Sequence, residues 1–356
     1  MSARRRLQMA IVGTGSFGAE FTRYIQEVAE PVAVCDAQAT ALAQFASTTQ
    51  LSLAPFTDFA TLLSTVEVDA VAILTPHHTH RDLTVQAARA GKHVYCEKAM
   101  ANTVVECWDM VRACDAAGVK LMVGHKRRLR PPWARMIELR DDLGPVRSIS
   151  ACAYSDGRPY DYQGWWTRRD ESGGTLSVNG VHHIDWMRAM AGDVAIVRAV
   201  RPPQTDQRFD FPDTLHVSLT FHTGAVGTLD VSFVYPVLRY RETGGPLVIC
   251  ADGGMRLVPY IDHIDLYWQR RDQTENRLER FNDLGFDHAF RQEFSDFVRW
   301  ITTGEAPCLT WREGLRCVEV IEAARRSADE GGTILSLPLY PQWESVDTAA
   351  PHASTV

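Results

Sequence analysis

The run LQMAIVGTGSFG, Leu7 to Gly18, constrains the fold more than any other part of the chain. A short apolar run enters a Gly-x-Gly-x-x-Gly loop, after which Phe17, Phe21, Tyr24, Ile25 and Val28 recur at helical spacing. Each glycine answers a different physical demand. Gly13 permits a tight turn, Gly15 lets a ligand approach the backbone, and Gly18 lets the helix pack closely on the strand. A strand that turns directly into an amphipathic helix opens a strand–helix–strand unit, and such units build parallel sheets.

The rest of the first half agrees. PVAVCD, VDAVAILTP, KHVYCE and KLMVGH read as further strands, giving five with LQMAIVG, and a helix follows His80 and stops at Gly91. Residues 1–126 are therefore expected to form an α/β, doubly wound parallel sheet. Pro131 and Pro132 mark a connector, 127–145, which holds a helix through Met136 to Leu139 that ends at LGP. From Val146 the pattern alternates strictly. Leu215, Val217, Leu219 and Phe221 point one way, and His216, Ser218 and Thr220 the other. VGTLDVSFV and LVICADGG repeat that style, so 146–343 is expected to be an α+β domain with an open-faced, mainly antiparallel sheet. Its main helix is expected at Gly173–Met190. Two more amphipathic helices, HAFRQEFSDFVRWITTG and WREGLRCVEVIEAARRSA, precede a last strand TILSLPL and a disordered tail, 344–356.

Composition narrows the partners. Across 356 residues the net charge is -7, which gives no reason to expect nucleic acid or an anionic membrane surface. No run approaches the roughly 18 apolar residues of a membrane span. Eight cysteines without a CxxC pair, and no secretory signal, point to reduced thiols and a cytoplasmic location. Cys107 and Cys114, a heptad apart, read as small buried hydrophobes, and no metal-ligand spacing is present.

Gly13, Gly15, Ser16, Phe17 and Gly18 are the expected contacts to a dinucleotide pyrophosphate, where N–H groups at a helix N-terminus meet phosphate oxygens. Asp36, at the end of the second strand, strengthens the motif. A carboxylate there accepts from ribose hydroxyls and repels a 2′-phosphate, and Ala37-Gln38-Ala39 offers no arginine, which favours NAD over NADP. The alternative is an N-capping aspartate. Thr75, Pro76, His77 and His80 end the strand VAILT at the ligand-bearing edge and are expected at the cofactor, with helix capping or a metal as alternatives. Glu97 and Lys98 follow the strand HVYC at the same edge. A lysine there stabilises a developing alkoxide, whereas the bland reading is a surface ion pair.

Taken in order, GTGSFG, Asp36, AILTPHHTH, AGKHVYCEKAM, VGHKRRLRP and GGTLSVNGVHHID resemble the glucose-fructose oxidoreductase/inositol dehydrogenase family, Gfo/Idh/MocA, from about Leu7 to Leu339. The resemblance implies a Rossmann domain and a C-terminal substrate domain whose open sheet builds dimers or tetramers. It also implies NAD(P)-dependent oxidation or reduction of a sugar, inositol or related cyclic polyol. The lysine of the family's Glu-Lys-Pro motif matches Lys98, with Ala99 in place of proline. The histidine of its Asp-x-x-x-His helix matches His182, which the resemblance makes the general acid/base, but Val178 stands where aspartate is expected. Asp185, on the same helical face as His182, and Asn179 are the available substitutes, and His183 turns away toward packing. Lys126 and Arg128 are further candidates for substrate hydroxyls, against a solvated basic turn. Trp165 and Trp166 either stack on a sugar ring or pack in the core, and Tyr160 and Tyr162 are possible pocket walls. Two other functions stay open: a glycosidase that uses NAD transiently for elimination, and a dinucleotide-binding sensor without catalysis.

Overall fold

The computed structural model describes residues 5–156, 164–235, 245–282 and 285–343. Its chain divides into two compact units, Met1–Lys126 with Phe286–Leu315, and Arg127–Gly285 with Arg316–Val356.

The first unit runs β1 (Gln8–Val12), α1 (Ser16–Val28), β2 (Glu30–Cys35), α2 (Ala39–Thr49), β3 (Ala54–Phe56), α3 (Phe59–Thr65), β4 (Ala70–Ile73), α4 (His80–Arg89), β5 (His93–Glu97), α5 (Val104–Ala117) and β6 (Leu121–Gly124). The six strands lie in the order β3-β2-β1-β4-β5-β6, every pair parallel. This is the expected doubly wound sheet, with the order reversing beside β1. β3 and the helices flanking it were not legible in the sequence: the strand is three residues at the sheet edge, too short for a period to show. Local signals fix the helix ends. Asp58 caps α3 by accepting from Thr61 N, Thr103 and Glu106 form a reciprocal capping box on α5, and Gly118 ends α5 in the left-handed conformation.

The second unit holds α6 (Pro131–Leu143), β7 (Val146–Tyr154), α7 (Arg169–Ser172), α8 (Val181–Ala191), β8 (Val194–Val200), β9 (Thr214–Phe221), β10 (Val226–Ser232), β11 (Leu247–Cys250), β12 (Gly253–Pro259), β13 (Ile264–Arg270) and β14 (Arg277–Phe281). After α9 (Phe286–Thr303), α10 (Trp311–Asp329) starts in the first unit and ends in the second, followed by β15 (Leu335–Ser336). Nine strands lie in the order β14-β13-β12-β11-β7-β10-β9-β8-β15, antiparallel except for the β7–β10 pair. Leu215, Val217, Leu219 and Phe221 are buried, as their alternation predicts.

Three expectations are corrected. The division at 146–343 is not continuous, because α9 belongs with the first sheet. Its Phe290 lies 4.5 Å from Phe21 and 5.4 Å from Tyr24, and Phe294 lies 4.5 Å from Tyr95, all between ring centroids. Burying such rings stabilises by about 1.5–3 kcal/mol each, enough to hold the helix to that sheet. The prolines are not a break but the first turn of α6, where a missing N–H costs nothing. The helix expected at Gly173–Met190 is divided. Gly173 and Gly174 both have positive φ, +72° and +83°, which no right-handed helix accepts. A π-helical turn, Leu176–Gly180, then leads into α8. The tail 344–356 and the residues Tyr160 and Tyr162 lie outside the described residues. No helix among the described residues is long and apolar enough to cross a membrane.

Candidate active site

In the first unit the carboxyl ends of β1, β2, β4, β5 and β6 carry the chemistry-bearing residues. A Cβ on Gly13 would come within 2.7 Å of Leu74 O, and one on Gly18 within 2.2 Å of Gly13 O, so neither position admits a side chain. Around Gly15 there is open space, and Phe17 is 46% exposed, which leaves the loop's outer surface accessible to a ligand. Ser16 opens α1; its side chain is not among those described. Asp36 ties the second strand to this loop. Its Oδ2 accepts from Thr14 N at 2.9 Å and from Thr14 Oγ1 at 2.7 Å, while Oδ1 accepts from Gln38 N. The carboxylate therefore has a fixed orientation beside the glycine loop, and α2 has Gln38, not Asp36, at its N-cap.

The segment after β4 is a short turn, His77–Thr79, that leads into α4. Thr75 Oγ1 and Thr79 Oγ1 share a hydrogen bond of 2.6 Å, and Thr79 Oγ1 also donates to Pro76 O, so Thr79 secures the turn without capping α4. His78 is exposed and His77 is buried. His80 departs from the expectation of cofactor contact: it is completely buried, with Nδ1 2.9 Å from Ala99 O and Nε2 2.8 Å from Thr75 O. Both ring nitrogens are buried against backbone carbonyls, which keeps either from reaching a metal or a ligand. Burial pushes its imidazole down to about 4, against the opposing pull of the carbonyls.

Lys98 keeps part of its surface exposed, and the Lys98–Ala99 peptide is cis. Desolvation brings its ammonium down to about 8; the anion of Glu97 holds the proton on and the cation of Lys126 drives it off. Glu97, expected at the cofactor, is instead buried, its Oε2 accepting from Lys98 N at 3.0 Å. Burial raises its pKa, and the charges of Lys126 and Lys98 oppose that rise. Lys126 is likewise not a surface cation. Its Nζ lies 4.6 Å from the Phe290 ring centroid, 5.3 Å from Phe17 and 5.8 Å from Phe286, an aromatic surround in place of a solvated turn. Tyr95 and Glu293 complete this buried network, the phenol donating to Glu293 Oε2 at 3.1 Å. A Cβ at Gly124 would stand 2.3 Å from that phenol oxygen, so the glycine makes room for it. Sequence reasoning missed both residues. The usable signal was Glu293 lying in the apolar stripe of Phe290, Phe294 and Phe297, because a carboxylate on a core-facing stripe needs a partner.

In the second unit, His182 is the second residue of α8 and 8% exposed. His183, turned away, is buried, and burial with the charges of Arg127 and Arg130 holds its imidazole well below the ordinary range. Both arginines stack on Trp133, at 5.0 and 4.0 Å, so the basic turn is packed rather than solvated. Arg128 and Asp185, expected at the substrate and at His182, are joined to each other. Arg128 Nε donates to Asp185 Oδ2 at 2.9 Å and Nη2 to Oδ1 at 2.6 Å, the carboxylate having no exposed surface.

Val178 sits in the π-helical turn and packs against the cluster of Phe209, Phe211 and Phe233, as does Trp166. Trp166 lies 5.7 Å from Phe209 and 6.0 Å from Phe233, which places it in an aromatic cluster; Trp165 is partly exposed. Gln204 and Asp213 build the loop that brings Phe209 and Phe211 there. The Gln204 amide donates to the carbonyls of Asp206 and Phe211, and the Asp213 carboxylate accepts from Thr205 N and Asp206 N. Asn179 Nδ2 donates to Ser155 Oγ at 3.2 Å. The place of an aspartate is thus filled by an apolar wall.

Residues 7–125 match the profile of the Gfo/Idh/MocA oxidoreductase family, NAD-binding Rossmann fold, and residues 135–335 match its C-terminal alpha/beta domain. The chain is 29% identical to a 2,7-anhydro-N-acetylneuraminate hydratase of Mediterraneibacter gnavus, over 79% of this chain and 77% of the relative. It is 27% identical to a D-apiose dehydrogenase of Paraburkholderia graminis, over 93% and 90%. The crystal structure of aldose-aldose oxidoreductase from Caulobacter crescentus, complexed with glycerol, superposes with a TM-score of 0.82 at 27% identity, over 94% of this chain and all of that one.

Proposed function

The chain belongs to the Gfo/Idh/MocA oxidoreductase family, and from that premise we propose that it transfers hydride between NAD and a hydroxyl-bearing carbon of a sugar, inositol or related cyclic polyol. The observation that carries this reading is Lys98. It is a partly exposed lysine at the carboxyl edge of the parallel sheet, brought down to about 8 by desolvation. An ammonium so placed stabilises an alkoxide that forms as hydride leaves. His182 is the general base that takes the hydroxyl proton. Asp185 acts through Arg128, the pair holding α8 in place. Trp165 and Asn179 are the substrate-side candidates that remain.

The glycine loop and its helix N-terminus fit a pyrophosphate, and Gly15 leaves the space it needs. The fixed carboxylate of Asp36 fits ribose hydroxyls and repels a 2′-phosphate, which supports NAD over NADP. When bound, the nicotinamide supplies the hydride acceptor; binding, orientation and proton transfer fall to the residues named here. The enzyme works in the cytoplasm as a homo-oligomer.

A second reading draws on the relative named a hydratase and on Val178. NAD used transiently would oxidise a substrate carbon, acidify the neighbouring C–H for elimination, and return the hydride, with no net redox change. A panel of sugars and inositols with NAD and with NADP, followed at the nicotinamide absorbance, tests the first reading. NADH formation with a panel member supports it. NAD binding without NADH, alongside a product altered by elimination or hydration, replaces it with the second.

A further inference from the structure

His80 is the residue whose geometry the proposed chemistry leaves unused. It is completely buried, and its two ring nitrogens reach carbonyl oxygens on two different loops. Thr75 O belongs to the loop that follows β4, and Ala99 O belongs to the residue immediately after Lys98, in the segment that follows β5. Those loops follow adjacent strands, since Ala72 pairs with Tyr95 and Ile73 with Cys96. Beyond the strand ends no ladder continues between Thr75 and Ala99, and the imidazole spans the gap. A donated ring N–H on one side and close contact on the other fix the backbone more tightly than apolar packing alone, because the hydrogen bond has a direction as well as a distance.

We propose that His80 is a positioning residue, its buried imidazole held between Thr75 O and Ala99 O, donating to one and packed against the other, and thereby holding the segment after Lys98 in register with the loop after β4. The proposal rests on Lys98 being the active lysine, and it adds what places that lysine. His77 lies 5.7 Å from the His80 ring, Lys98 acts on His80 as a neighbouring cation, and Glu97 and Lys126 act on Lys98. A neutral imidazole has one N–H and bonds one carbonyl; the imidazolium bonds both. Because burial drives the ring toward neutrality, one bridge is donated at neutral pH and the other carbonyl is held against the ring.

The consequence reaches Lys98. Its depressed value depends on desolvation, and a loop freed from His80 exposes the amine to water. His80→Ala is therefore expected to move Lys98 from about 8 back toward its ordinary 10.5. The measurement is reductive methylation of Lys98 followed by mass spectrometry across a pH series, on the full protein with and without NAD. Turnover should fall by roughly 10²-fold, the scale for a reacting group displaced by about 1 Å. NAD affinity should stay within about threefold, below 1 kcal/mol. His80→Gln, whose amide still donates to one carbonyl, should lie between the wild type and His80→Ala in both readouts.

An unchanged Lys98 midpoint in both variants overturns the proposal. So does a loss of turnover that only tracks a loss of NAD affinity and thermal stability, because that is a general structural defect. In the wild type, nitrogen-15 spectra of the histidine ring give a reading that needs no variant. A ring N–H protected from exchange and coupled to a backbone carbonyl supports the bridge, and the absence of one contradicts it. Neither labelling nor spectroscopy needs a substrate, so a failed substrate panel refutes the proposed reaction without deciding the role of His80.

Discussion

Replacing Lys98 by methionine removes a charge that folding partly dehydrates, so the variant is expected to be more stable than the wild type and inactive. The drop from the ordinary 10.5 to about 8 corresponds to roughly 3 kcal/mol held against the folded state at neutral pH. The sign follows from proton counts. Between about pH 8 and 10.5 the unfolded chain still binds the lysine proton while the folded chain has released it, so stability rises with pH across that window. The penalty is whole below about pH 8 and gone above about 10.5. Methionine keeps the unbranched stem and removes the penalty. Part of the gain is returned because Glu97 loses a neighbouring cation, and a net gain of about 1–2 kcal/mol at pH 7 is expected. Urea denaturation at pH 7 and again near pH 10 measures it, the difference between variant and wild type shrinking at the higher pH. A variant less stable than the wild type at pH 7, or a difference that ignores pH, would refute the claim that Lys98 sits in a desolvating environment.

Other perturbations probe the remaining parts. Arg128→Met strands the Asp185 carboxylate without exposed surface and should cost about 3–5 kcal/mol, read as a large fall in the calorimetric midpoint; a shift of a degree or two would mean the pair is not structurally coupled. Asp36→Ala should weaken NAD binding and narrow its advantage over NADP by about tenfold or more, measured as a ratio of kcat/KM values. Val178→Asp places a carboxylate against Phe209, Phe211 and Phe233 and should cost about 1–3 kcal/mol with no gain in turnover. Higher turnover in that variant would show that the wall is not what excludes an aspartate. The pH profile of kcat should fall on the alkaline side near 8, and Glu97→Gln should shift that limb to lower pH, because the anion that keeps the proton on Lys98 is gone.

The parallel sheet was legible because a glycine loop between a strand and an amphipathic helix leaves little choice, and the alternation around Leu215 to Phe221 announced the second sheet in the same way. Lys98 and Asp36 were legible as positions, because polar residues stand directly at the ends of apolar strands, Glu97-Lys98 after HVYC and Asp36 after PVAVC. What escaped the sequence are matters of three-dimensional pairing. His77, His78 and His80 look alike in the string TPHHTH, yet one is exposed and two are buried, and the deepest sits between a carbonyl five residues before it and one nineteen residues after it. Lys126 and Arg128 read as a basic turn, but the rings of Phe17 and Phe290 and the carboxylate of Asp185 arrive from other elements to enclose them. α9 read as part of the C-terminal domain because its amphipathic pattern states that it packs on something, not on what. The π-helical turn left no sequence mark beyond Gly173 and Gly174, and Val178 only became intelligible once Phe209, Phe211 and Phe233 were seen to surround it.

Isotope tracing tests the proposed reaction most directly. A polyol or sugar that reacts, deuterated at the carbon to be oxidised, is incubated with the protein and NAD, and the nicotinamide is examined by mass spectrometry. Hydride transfer as proposed places deuterium on NADH in equal amount to the oxidised product, and His182→Ala lowers the rate of that transfer by roughly 10²–10⁴-fold while NAD still binds. Product formed without deuterated NADH, or label transfer undiminished in His182→Ala, would contradict the account.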